Sequence, residues 1–239
     1  MSRNIVITGA SSDIGLAIST KIIRPEDQVI LQCFRNPDKC NQLKEKLKDS
    51  CNIIISDFSD PESIENFCKQ LPEIDILINA AGSTITNLLP NFSDEDILKM
   101  LYVNIFALTK ICQAVIPAMI VKRKGCIVNI SSIAATRGNK GQSVYAGTKG
   151  FVESFSRSLT SEYGSRGIRI NCVAPGPIDA GSLKELLSYA AEDVNESIIS
   201  KRLGNPDDVA SAVEFLCSEE AEFINGKCIQ VDGGFMRGI

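Results

Sequence analysis

The sequence predicts an α/β fold, a doubly wound parallel sheet of about seven strands with helices on both faces. Three observations predict it. Short, nearly continuous apolar runs recur along the 239 residues, and longer segments of helical period separate them. No internal repeat, low-complexity tract or long polar linker divides the chain, so residues 1–239 are expected to form one domain.

Strand Asn4–Thr8 opens the pattern and runs through a glycine-bearing turn into helix Ile14–Ile23. Strands Gln28–Phe34, Asn52–Ser56 and Ile74–Asn79 then alternate with helices Asp38–Lys48 and Pro61–Gln70. Two long helices, Asp94–Val121 and Val144–Tyr163, precede strands Gly125–Ser131 and Ile168–Val173. Helices Ser182–Ile199 and Pro206–Cys217 and strand Lys227–Val231 close the chain. Three helix starts carry N-cap residues: Ser59-Asp60-Pro61-Glu62, Ser93-Asp94-Glu95 and Asn205-Pro206-Asp207.

Composition narrows the function. A net charge of −4 argues against nucleic acid or an anionic membrane as a partner. The chain starts Met-Ser-Arg-Asn without the pattern of a leader, and its longest apolar run, Ile111–Val121, is too short to span a bilayer. A cytoplasmic location is expected, with an organelle matrix as the alternative. Nine cysteines lack any Cys-x-x-Cys spacing and there is no histidine, so no metal site is expected. Cys126, Cys172 and Cys228 lie in apolar runs, as reduced core thiols do. The absence of histidine rules out Ser-His-Asp and Cys-His hydrolases. Proton transfer falls to Tyr, Lys, Cys or a carboxylate.

The first turn reads Thr8-Gly9-Ala10-Ser11-Ser12-Asp13-Ile14-Gly15, from strand into helix. Free N–H groups and the helix dipole would face an anion there, with Gly9 making the turn and Gly15 allowing helix to pack on sheet. The second strand ends Gln32-Cys33-Phe34-Arg35. An acid at this position would bind ribose hydroxyls, and a nearby Arg accommodates a 2′-phosphate. Cys33 with Arg35 therefore favours NADP(H) over NAD(H).

Tyr145-Ala146-Gly147-Thr148-Lys149 puts a phenol and an ammonium on one helix face, where the cation lowers the phenol pKa. Ser132 ends an apolar strand thirteen residues earlier, at the edge where such sheets bind ligands. Asn104 interrupts an apolar helix and needs a partner; a satisfied core amide is the plain alternative.

This ordered set resembles the classical short-chain dehydrogenases/reductases along essentially the whole chain. The resemblance implies a Rossmann-type fold with Asn104, Ser132, Tyr145 and Lys149 as the catalytic tetrad. Ser132 would bind the substrate carbonyl, Tyr145 would donate the proton, Lys149 would hold the ribose and lower the tyrosine pKa, and Asn104 would support a water relay. It also implies a cofactor site of Gly9, Ser11, Ser12, Ile14, Arg35, Asp57, Asn79, Ala81, Gly82, Tyr145, Lys149, Pro175, Gly176 and Ile178. Three positions depart from the family pattern: Asp13 for the middle glycine, Ala80 for a second Asn, and Ala180 for a Thr.

Residues Gly138 to Tyr145 and the ending Val231-Asp232-Gly233-Gly234 are similar to the 3-oxoacyl-[acyl-carrier-protein] reductases. That similarity implies NADPH-dependent reduction of a ketone to a secondary alcohol, a 3-oxoacyl thioester of fatty-acid synthesis. It further implies a substrate lid at about 179–203, a homotetramer, and docking of an acyl-carrier protein by Arg123 and Arg166 beside the active-site mouth. Two alternatives stay open: a short-chain dehydrogenase acting on another small ketone or alcohol (sugar, steroid or quinone), and a weakly active cofactor-binding subunit.

Overall fold

In the computed structural model, residues 2–181 and 196–235 are described. Seven strands form one sheet: β1 Asn4–Thr8, β2 Gln28–Cys33, β3 Cys51–Ile55, β4 Ile76–Asn79, β5 Gly125–Ile130, β6 Ile168–Pro175 and β7 Cys228–Val231. Their order is β3-β2-β1-β4-β5-β6-β7 and every pair is parallel. The order reverses between β1 and β4, and at this switch point a crevice opens at the strands' C-terminal ends. The predicted doubly wound sheet is the observed one.

The apolar strands feed two cores because successive side chains point to opposite faces. Ile5 and Ile7 join one cluster with Val209 and Val213, while Val6 joins the other with Ile111 and Val152. The first face is covered by α1 (Asp13–Ile22), α2 (Asp38–Leu47) and, far along the chain, a helix at Pro206–Cys217. The second is covered by α3 (Pro61–Lys69), a long helical stretch at Asp94–Lys122 and α6 (Ser143–Tyr163). Pro206–Cys217 is named α7 here. Asp60, Ser93 and Asn205 cap their helices as expected, Asn205 in a reciprocal capping box with Asp208.

Two expectations about the long helix change. The stretch divides into α4 (Asp94–Leu101), a π-type turn at Tyr102–Phe106 and α5 (Ala107–Lys122). Its whole length is also long and apolar enough to cross a bilayer, which the Ile111–Val121 run alone is not. In this fold Leu108, Ile111, Val115 and Met119 instead lie buried in the core. Strand β6 runs two residues further than predicted because β7 continues to pair with Ala174 and Pro175. Most of the predicted helix Ser182–Ile199, and of the lid at 179–203, lies outside the described residues. Ile198, near its end, forms an antiparallel bridge with Phe235 rather than a helical turn.

Candidate active site

The phosphate turn is built by hydrogen bonds from three strands. Gly9 has φ +65°, and a Cβ there would stand 2.7 Å from the Ala81 backbone. Its N–H donates to Gln32 Oε1 (2.8 Å), while Gln32 Nε2 donates to the Ser56 carbonyl (2.7 Å). Thr8 Oγ1 accepts the N–H groups of Ala80 and Ala81 at 3.2 and 3.1 Å. The exits of β1, β2, β3 and β4 are thus tied together. Ser12 caps α1 by accepting from Gly15 N (3.0 Å), and Ser11 Oγ donates to the Arg35 carbonyl (2.8 Å). Ile14 packs on the core beside them.

At the adenosine end, Arg35 is exposed with its guanidinium carbon 5.5 Å from the Phe34 ring centre. Cys33 is fully buried, so the position expected to carry an acid faces the core. Asp57 follows β3 and accepts from Ser59 N and Oγ at 2.8 and 2.7 Å. The Asn79 side chain is buried in the sheet and donates to Asn129 Oδ1 (2.8 Å), joining β4 to β5. On the far side, Gly176 N donates to the Val231 carbonyl (2.9 Å), which fixes the segment after Pro175. Ile178 is buried and bridges Gly204.

Ser132, Tyr145, Lys149 and Asn104 come together above this turn. Lys149 is 5% exposed and its Nζ donates to the Ile130 carbonyl (2.8 Å), the last residue of β5. That ammonium lies 5.8 Å from the Tyr145 ring centre. Burial pushes its pKa down to about 8. Burial pushes the Tyr145 phenol up, and a hydrogen bond with the Ser132 hydroxyl works in the opposite sense. Ser132 is itself fixed as the cap of a short turn, accepting from Ala134 N (3.2 Å). Ser131, the neighbouring candidate, is buried and donates to Glu153 (2.9 Å).

Asn104 sits within the π-type turn at 1% exposure. It accepts from Ser83 N and donates to the Ser83 carbonyl, both at 2.8 Å, and donates to Thr148 Oγ1 at 3.0 Å. Thr148 passes the link on to the Tyr145 carbonyl (2.7 Å). Thr148, Thr8 and Gln32 are site residues that sequence reasoning missed. Each acts through a partner distant in sequence, and no local spacing announces it.

The residues fit a dinucleotide. A Cβ placed on Gly82 would stand 3.6 Å from Lys149 Nζ and 3.7 Å from Asn104 Oδ1, so the glycine keeps open a cradle facing both groups. The capped N-terminus of α1 lies at the crevice beneath it. Arg123 and Arg166 do not join this site. Arg123 does meet the Arg166 turn, donating to the Ser165 carbonyl (3.2 Å). Both precede their strands, β5 and β6, and so lie at the opposite edge of the sheet from Ser132. A six-residue strand separates the two edges by roughly 20 Å. The expectation that they flank the mouth of their own active site is corrected accordingly.

A doubly wound sheet with a phosphate turn at its switch point and a Tyr paired with a buried Lys beside it defines a nicotinamide-dependent oxidoreductase. Comparison with known proteins supplies the family. A family profile described as enoyl-(acyl carrier protein) reductase matches residues 9–236. A 3-oxoacyl-[acyl-carrier-protein] reductase of Rickettsia felis is 36% identical over 231 residues, covering 97% of this chain and 95% of the relative. A protein of the same name from Chlamydia trachomatis is 32% identical, covering 98% and 97%. Among solved structures, one described as a short chain dehydrogenase/reductase family protein superposes with TM-score 0.88 at 29% identity, covering 97% and 96%. A structure from Beutenbergia cavernae, provisionally titled an NAD(P)-dependent gluconate 5-dehydrogenase with bound NADP, gives TM-score 0.91 at 28% identity, covering 98% and 96%. The chain belongs to the short-chain dehydrogenase/reductase family and is an NAD(P)-dependent oxidoreductase.

Proposed function

We propose that this enzyme reduces the 3-oxo group of an acyl thioester, carried by acyl-carrier protein, to a secondary alcohol in fatty-acid synthesis, with NADPH as reductant. The observation that carries the reading is the pairing of half-buried Tyr145 with buried Lys149 beside Ser132, in a chain whose full-length relatives bear the 3-oxoacyl reductase name. Arg35, exposed at the adenosine end, supports NADPH over NADH.

When bound, a reduced nicotinamide would supply the hydride for the carbonyl carbon. Ser132 and Tyr145 hydrogen-bond the carbonyl oxygen, and Tyr145 gives that oxygen its phenolic proton as negative charge develops there. A phenol is protonated at neutral pH, and burial moves Tyr145 further in that direction. Lys149, still largely cationic at neutral pH, stabilises the phenolate left behind. Asn104 holds the strand exit at Ser83 against α6 through Thr148, so that the donor and the cofactor crevice keep one geometry.

We also infer a homotetramer working in a reducing compartment, the cytoplasm; all nine cysteines are free, as such a compartment keeps them. Docking of carrier protein at Arg123 and Arg166 would then serve the active site of another copy. Weaker, salt-sensitive carrier binding by Arg123→Glu tests this.

The decisive experiment follows oxidation of NADPH by absorbance with an acetoacetyl thioester. Turnover is expected, with a loss of about 10²–10⁴-fold in kcat in Tyr145→Phe. Binding of NADPH without turnover of the thioester would overturn the substrate assignment, and unchanged turnover in Tyr145→Phe would overturn the mechanism.

A further inference from the structure

The least family-like residue of the phosphate turn is also one of its most connected. Asp13 opens α1, where a carboxylate next to a bound diphosphate would repel it. The side chain is turned elsewhere. One oxygen pairs with Lys39 Nζ on α2 (2.9 Å). The other accepts the backbone N–H of Gly181 (3.0 Å), a residue with φ +54° in the stretch that follows β6. Sequence separations of 26 and 168 residues are closed by this one carboxylate. It therefore fastens two walls of the cofactor crevice together: the turn that would face the diphosphate and the Pro175–Gly181 segment on the nicotinamide side. Lys39 offsets the charge that the turn would otherwise present. Ala180, where a hydroxyl side chain is expected, leaves that segment without a side-chain hydrogen bond of its own at this position.

We propose that Asp13 is a positioning residue, a clamp that holds the segment after β6 against the phosphate turn and so sets the affinity for the whole dinucleotide. The proposal rests on the reading that the turn binds a nicotinamide dinucleotide. Its signature is selectivity. A ligand with a nicotinamide needs both walls, whereas 2′,5′-ADP needs only the turn and the adenosine end.

The test measures NADPH dissociation constants by the fluorescence of the bound cofactor, and 2′,5′-ADP by competition, on the intact protein. A hydrogen bond to a charged group corresponds to about a tenfold change. Asp13→Ala is expected to weaken NADPH about tenfold and to leave 2′,5′-ADP within about twofold of wild type. Asp13→Asn keeps an oxygen for Gly181 and should recover most of the NADPH affinity. Thermal melts confirm that both variants are folded; should Asp13→Ala fail to fold, Lys39→Met loosens the clamp and is expected to shift NADPH but not 2′,5′-ADP. Unchanged or tighter NADPH binding in these variants would overturn the clamp, as would an equal loss for both ligands. Wild-type protein that binds neither NADPH nor NADH would overturn the underlying cofactor reading as well.

Discussion

Asn104 offers the sharpest energetic test of the site. Asn104→Ala deletes three hydrogen bonds, two to Ser83 at 2.8 Å and one to Thr148 at 3.0 Å. Ser83 is only partly buried, so water can reach its abandoned N–H and C=O, and each loss costs about 1 kcal/mol, the low end for an orphaned group. Thr148 keeps its bond to the Tyr145 carbonyl and loses less. The sum is about 2–3 kcal/mol, or roughly 4–12 °C in Tm for a chain of this size. Thr148→Val removes the shared bond from the other side, so the pair should be coupled by about 1 kcal/mol in a double-mutant cycle. Urea unfolding of the four proteins, followed by circular dichroism, gives both quantities. Turnover should fall in Asn104→Ala by about 10–100-fold under conditions where it remains folded, because Tyr145 loses its tie to the cofactor crevice. Additive effects within about 0.3 kcal/mol, together with unchanged turnover, would show that the chain from Ser83 to Tyr145 carries neither stability nor positioning.

Two further predictions concern charge. Burial lowers the Lys149 pKa to about 8, so its cation is present below that value and lost above it. The rate of ketone reduction should hold near neutral pH and fall as pH climbs through about 8; a rate that rises through this window would refute the role of the cation. Arg35→Glu should weaken NADPH binding by about 10–100-fold, the scale of a charge-assisted contact, and change NADH binding little. Equal losses for the two cofactors, measured by titration, would remove Arg35 from 2′-phosphate recognition.

The sheet and its helices were legible because periodicity is a local signal. Ile5, Val6 and Ile7 alternate between two cores, and only a doubly covered strand tolerates such a run. The Tyr145–Lys149 pair and the caps at Asp60, Ser93 and Asn205 were legible for the same reason, each being a matter of four or fewer residues. What stayed hidden depends on partners far along the chain. Thr8 meets Ala80 and Ala81 more than seventy residues away, and Thr148 meets Asn104 across forty-four. The bond from the Asn79 amide to Asn129, its register partner on β5, likewise spans fifty residues. Arg123 and Arg166 were read from their places before Gly125 and Gly167, yet the sense in which their strands leave them puts both at the far edge.

The π-type turn at Tyr102–Phe106 has an evolutionary corollary. It holds one residue more than an α-helical turn of the same rise, so the extra residue is absorbed within the turn itself. Deleting a single residue there would close it to an α-helical turn and leave the helix that follows in nearly the same phase. Leu108, Ile111, Val115 and Met119 would stay on the sheet face on which they are buried, and what would be lost is the widened turn that presents Asn104. The core therefore tolerates gain or loss of this one residue, and only the chemistry at Asn104 gives selection a reason to keep it.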